Sequence, residues 1–247
     1  MEDRYAGDVG DFLKLGLLRW LCSDDGATPI RLGVNWYLAP DEFHNSDGQH
    51  VGYLSPGNRH GPSLEQCDPD LFLRLGNLVR SRNRNVKGLE ESGALPGGTL
   101  TYRRRLSPAR TAAERSAWHR EALERLAEVD LIFADPDNGV CGDPKVSRRE
   151  KYAFMSELSD YSTRGQSIIV YQHANRQPGG VASQVQTCLR TLSAGTGFTP
   201  LGAVVGRRGS CRFLLIVPVP QHRQRLADVL ANYDATWRPH AEFVQFA

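Results

Sequence analysis

Five carboxylates, with amides, a histidine and lysines among them, stand at places in this chain where their types and spacing suit chemistry. The densest group is Asp135-Pro-Asp137-Asn138-Gly139, which follows the apolar run Leu131-Ile-Phe-Ala134. An apolar run that stops in two acids and an amide predicts a buried parallel strand, delivering polar groups to the edge where open α/β sheets place ligands. Asp-Pro and Asn-Gly are also turn signals, so a plain turn is the simpler alternative. Density favours a site: two acids and an amide within four residues of a buried run cost more desolvation than a turn requires.

A second strand end repeats the pattern. Gln166-Ser-Ile-Ile-Val-Tyr-Gln-His173 closes in Gln172, His173, Asn175 and Arg176. His173 is a candidate base, with a satisfied strand-end histidine as the alternative. A third group opens the chain: Tyr5-Ala-Gly7-Asp8-Val-Gly-Asp11-Phe-Leu-Lys14. Asp8 or Asp11 suits a helix cap, and Lys14 lies three residues after Asp11 on the same helix side. Asp41 ends another strand candidate.

Two kinds of chemistry use such residues. In the first, Asp135 accepts a hydrogen bond from an amine or amide nitrogen and orients its lone pair, and catalysis is mostly proximity. In the second, Asp8 or Asp41 joins Asp135 and Asp137 as hard oxygen ligands for Mg²⁺ or Mn²⁺, His173 serves as base, and Lys151 or Arg176 clamps a phosphate, giving a phosphoryl hydrolase or nuclease. A third expectation is a catalytically inactive fold used for binding.

The elements that must position these groups follow from periodicity. Phe12, Leu13, Leu17, Leu18 and Leu21 predict a helix after the opening turn. Strands are predicted at 31–38, 100–103, 130–134, 166–173, 201–205 and 211–217, and helices at 70–82, 110–129, 147–161, 181–192 and 221–233. From Glu42 to Asp68 the chain is rich in Gly, Pro, Asn, Ser and His, which predicts an irregular insertion or lid. Alternation of strands and helices argues a mostly parallel, Rossmann-like α/β sheet with helices on both faces, closed by an antiparallel hairpin.

Composition sets the outer limits. The 247 residues suit one α/β domain spanning 1–247. Thirty basic against 28 acidic side chains leave a net charge of +2. No global field therefore argues for nucleic acid, and the arginine clusters Arg103–Arg105 and Arg207-Arg208 read as solvated edges. The tryptophans Trp20, Trp36, Trp118 and Trp237 read as core. Five scattered cysteines have no metal or disulfide spacing, which fits free thiols in the cytoplasm. The chain has no apolar stretch long enough for a membrane span, and Glu2, Asp3 and Arg4 stand where a signal peptide would need a basic start. Composition does not speak to oligomeric state.

The N-terminal and central motifs together resemble the bacterial methyltransferase family that modifies the exocyclic amine of an adenine in large-subunit ribosomal RNA. That family opens with H-A-G-N-x-x-D-x-L-K-H; here Ala6, Gly7, Asp11, Leu13 and Lys14 stand in register, with Tyr5, Asp8 and Leu15 in place of its other positions. Its catalytic D-P-P-Y corresponds to Asp135-Pro136-Asp137-Asn138, matched in the first half. The resemblance implies a class I methyltransferase-like fold with S-adenosylmethionine at the C-terminal edge of the sheet. It implies that Asp135 accepts from the target nitrogen and that Asp11 and Lys14 position the cofactor. Taken with the strand-end reading, the candidate catalytic residues are Asp135, Asp137, Asn138 and His173, the cofactor contacts Gly7, Asp8, Asp11, Lys14 and Asp41, and the substrate contacts Tyr5, Lys151 and Arg176. The substrate class it implies is an amine or amide nitrogen, with nucleic acid as the partner.

Overall fold

A computed structural model describes residues 1–23, 29–42, 48–81, 83–108, 111–142, 147–174, 179–208 and 212–247. Nine strands are described: β1 Leu32–Asn35, β2 Leu100–Tyr102, β3 Leu131–Ala134, β4 Gly139–Cys141, β5 Tyr152–Phe154, β6 Ser167–His173, β7 Gly202–Gly206, β8 Arg212–Val217 and β9 Ala241–Gln245. The described helices are α1 Val9–Leu21, α2 Gly61–Cys67, α3 Pro69–Arg80, α4 Val86–Glu91, α5 Ala112–Arg125, α6 Met155–Thr163, α7 Gly180–Thr196, α8 Pro220–Ala231 and α9 Tyr233–Trp237.

Seven strands form one sheet in the order β2-β1-β3-β6-β8-β7-β9. The half from β2 to β6 is parallel, and the half from β6 to β9 is antiparallel. This is the expected Rossmann-like α/β arrangement, with β9 added outside the predicted hairpin. Apolar faces on both sides of the sheet form two core clusters. One, under α1, α3, α8 and α9, includes Phe12, Leu17, Phe133 and Ile169; the other, under α5, α6 and α7, includes Trp118, Ile132, Leu158 and Val170. Burial on both faces explains why β3 and β6 read as continuous apolar runs. Trp36, Trp118 and Trp237 are core residues.

Several expectations need correction. The predicted helix 147–161 begins only at Met155: Arg149–Lys151 is a 3-10 turn, and Tyr152–Phe154 pairs in parallel with Gly139–Cys141 as a separate two-stranded sheet. Bulky aromatic residues against a partner strand override a weak helical pattern. The insertion at 42–68 is not irregular throughout, since Gly52–Leu54 is a 3-10 turn and Gly61–Cys67 a helix; residues 43–47 lie outside the described part. Within the basic run after Arg80, α4 starts at Val86, where the Asn85 side chain accepts from the Gly88 N–H. The last predicted helix divides at Asn232 into α8 and α9. Arg82, Arg110 and Cys211, predicted to end or begin elements, lie outside the described residues. No helix among the described residues is long and apolar enough to cross a membrane.

Candidate functional site

β3 and β6 are adjacent and parallel, with Ala134 opposite Val170, so Asp135 and His173 reach the same edge. There they meet the first turns of α1. The Asp8 side chain caps that helix by accepting from the Asp11 N–H, and Asp11 Oδ2 accepts from the Gly7 N–H at 2.9 Å. Gly7, at φ +80°, makes a turn that favours glycine. The segment is thereby turned so that Lys14 reaches down to the sheet.

Lys14 Nζ lies 2.8 Å from Asp11 Oδ1 and 2.8 Å from Asp135 Oδ2. It also stands 5.3 Å from the centre of the Tyr171 ring. All three charged groups are buried. Burial pushes the Asp11 carboxyl up to about 6 against the opposing pull of Lys14, while the two carboxylates raise Lys14 despite its burial. Asp135 Oδ1 takes no partner among the described residues and is not one of the fully buried polar atoms.

Around this trio lies a cleft of about 160 Å³ lined by Tyr5, Asp8, Lys14, Asp135, Asp137 and His173, with Tyr171, His50 and Arg212 completing it. His173 Nε2 is 3.0 Å from the Tyr171 hydroxyl. Burial, then the positive charge of Arg212, pushes its imidazole below the usual histidine range. At neutral pH it is an uncharged base. Arg212 packs so close over α1 that a Cβ on Gly10 would sit 1.6 Å from its guanidinium.

Other predicted residues have different roles. Asp137 is held by Lys151 at 2.8 Å, and the same ammonium takes Glu2 and Glu42 at 2.8 Å each. Lys151 is thus a buried tie between three carboxylates rather than a clamp open to phosphate. Asn138 joins the edge through its backbone, its N–H donating to the Lys151 carbonyl at 2.8 Å. Asp41 accepts from the Arg4 N–H at 3.2 Å and does not line the cleft. Asp11 and Gly7 stand beneath the cleft as its support. Asn175 and Arg176 lie outside the described residues. The acids Asp8, Asp135 and Asp137, weighed as metal ligands, are each engaged separately, and no group of three ligating side chains occurs among the described residues.

Sequence reasoning missed Tyr171, Arg212, His50 and Glu2. Tyr171 was within reach, because two-residue alternation along β6 puts it on the same face as His173. Arg212 and Glu2 carry no local signal; they arrive through pairing and chain path.

S-adenosylmethionine, the cofactor the resemblance implies, does not fit the residues present. Beyond β1 the chain turns at Tyr37, whose φ is +43°, and Trp36, Tyr37, Leu38 and Ala39 are all buried. Met1 lies against them: its carbonyl accepts from the Ala39 N–H at 2.8 Å, and its nitrogen donates to the Asp135 carbonyl at 2.7 Å. The chain itself fills the space beyond β1, and the remaining cleft of about 160 Å³ is too small to enclose a cofactor of that size. Compared with protein-family models and with curated proteins, the chain matches none.

Proposed function

We propose that this chain acts on an amine or amide nitrogen, as a methyltransferase-like protein in which the half of the site that holds the acceptor nitrogen is built. The observation that carries the reading is Asp135: one carboxylate oxygen is fixed by Lys14 and the other takes no partner among the described residues, at a strand end that lines the cleft. A fixed carboxylate accepts an N–H and aims the nitrogen lone pair. His173, uncharged and held at Nε2 by the Tyr171 hydroxyl, lines the same cleft beside that carboxylate. The side chains lining the cleft carry three carboxylates against the permanent cations Lys14 and Arg212, a balance that suits a donor better than a phosphate.

A second reading, binding without turnover, is favoured by the filled crevice beyond β1. One experiment tests both. The full chain is titrated by calorimetry with adenosine, which bears an exocyclic amine, and with purine riboside, the same nucleoside with neither that amine nor a ring N–H, then assayed for methyl transfer from S-adenosylmethionine. Tighter binding of adenosine, lost in Asp135→Asn, is the expected result. Equal binding of the two nucleosides removes the nitrogen assignment. Amine binding without transfer selects the second reading.

A further inference from the structure

We propose that a second cavity, between α5 and the start of α6, binds a small phosphate-bearing molecule. It has a volume of about 370 Å³ and is lined by Arg115, His119, Arg120, Arg149, Phe154 and Ser156, with Glu157 and Asp160 at its wall. None of these residues lines the cleft at Asp135.

The wall is built first. Arg115, buried, donates to Glu157 Oε1 at 2.6 Å and Oε2 at 3.0 Å, and to the Arg149 and Tyr152 carbonyls at 2.6 Å each. Its guanidinium lies 3.7 Å from the centre of the Phe154 ring. Glu157 Oε2 also accepts from the Phe154 N–H and from the Tyr37 hydroxyl. Both carboxylate oxygens of Glu157 are therefore committed inside the protein. Asp160 takes His119 Nε2 at 3.0 Å.

Two cations are left over. Neither the Arg120 nor the Arg149 guanidinium makes a hydrogen bond or ion pair among the described residues; that of Arg149 rests 5.7 Å from the centre of the Phe154 ring, and its Nε is buried without a partner there. His119, 7% exposed, lines the same cavity with its Nδ1 also buried and unpartnered. Ser156 stands in the first turn of α6, the positive end of the helix. Two guanidiniums, a hydroxyl and a helix start supply more donors and charge than a carboxylate uses, and they match the several oxygens and double charge of a phosphate.

The test titrates the full chain with inorganic pyrophosphate by calorimetry at constant ionic strength. The result expected is saturable binding, weakened about tenfold or more by Arg149→Gln and by Arg120→Gln, each worth at least one charge-assisted hydrogen bond. Arg103→Gln is the control, since Arg103 is exposed elsewhere and already paired with Glu90 at 2.8 Å; it should bind like the parent. Arg120 is exposed, so weakening in that variant is not a folding defect, and matched melting temperatures check Arg149→Gln. Absence of binding, or equal weakening by Arg103→Gln, overturns the proposal. A short single-stranded oligonucleotide distinguishes the source of the phosphate. Displacement of pyrophosphate by the oligonucleotide, with the same loss in Arg149→Gln, assigns the site to backbone phosphate rather than a small molecule and overturns the ligand class proposed.

Discussion

Asp135 and Asp137 are two residues apart and chemically identical, yet their partners give them different work. Asp135 shares one lysine with Asp11 and keeps an oxygen without a partner among the described residues; Asp137 shares Lys151 with Glu2 and Glu42. Asp135→Asn keeps the volume and removes the acceptor charge, so nitrogen-directed binding or turnover should fall by about two orders of magnitude, a loss of roughly 2–3 kcal/mol for a charged hydrogen bond. Asp137→Asn leaves Lys151 with two carboxylates and should change the same measurement by less than about threefold. Equal losses in the two variants would point back to a shared metal and away from an acceptor nitrogen. Gly10 is the second residue-scale test. A methyl there collides with Arg212 and lies 2.9 Å from Asp8 Oδ1. Because Arg212 is buried, Gly10→Ala should drive the guanidinium out of the cleft, weakening ligand binding while α1, which gains a better helix former, keeps its stability. Paired calorimetry and urea melts separate these outcomes.

At the scale of elements, α1 is the part that ties the site to the sheet, through one ion pair across 121 residues of sequence. Lys14→Met would leave Asp11 and Asp135 as buried carboxylates without their cation, the case in which breaking a pair costs about 3–5 kcal/mol. A urea midpoint unchanged by Lys14→Met would show that the pair is solvated. The same element shows what a sequence discloses. Asp8, Asp11 and Lys14 were legible as a group, because a cap needs only one of the two acids. β3 and β6 were legible too, since burial on both faces leaves continuous apolar runs with polar ends. β4 and β5 were not, because three residues are too few to show a period. Their meeting depends on Gly139 instead, at φ +99°, where a Cβ would strike the Gln172 amide at 2.2 Å. The seating of Met1 against the residues after β1 was equally hidden. Its contacts are backbone hydrogen bonds, and any residue type can make those.

At the scale of the whole molecule, acid stability includes buried groups that pull in opposite directions, His240 and Asp11 among them. His240 is fully buried, and its Nδ1 accepts from Arg208 Nε at 2.9 Å, which requires an uncharged ring. Burial, then the charge of Arg208, pushes its pKa down to about 4. Between an unfolded value near 6.5 and that figure, the unfolded chain binds the extra proton. His240 therefore adds stability that is present above pH 6.5 and is lost as pH falls, with a slope of up to about 1.4 kcal/mol per pH unit. Asp11 has the opposite sign. Its folded value of about 6 lies above the usual carboxylate range, so the folded chain binds the extra proton and stability rises as pH falls across much of the same window. The two slopes oppose each other, and His173, whose imidazole is also pushed down, adds to the first. His240→Gln removes one of them. Glutamine presents an oxygen to Arg208 without titrating, so stability of the variant relative to the parent should climb steadily on acidification through that window. Urea midpoints at pH 7, 5.5 and 4.5 measure the difference. Parallel curves for parent and variant would mean that His240 takes up its proton in the folded protein, and that its pairing with Arg208 opens on acidification.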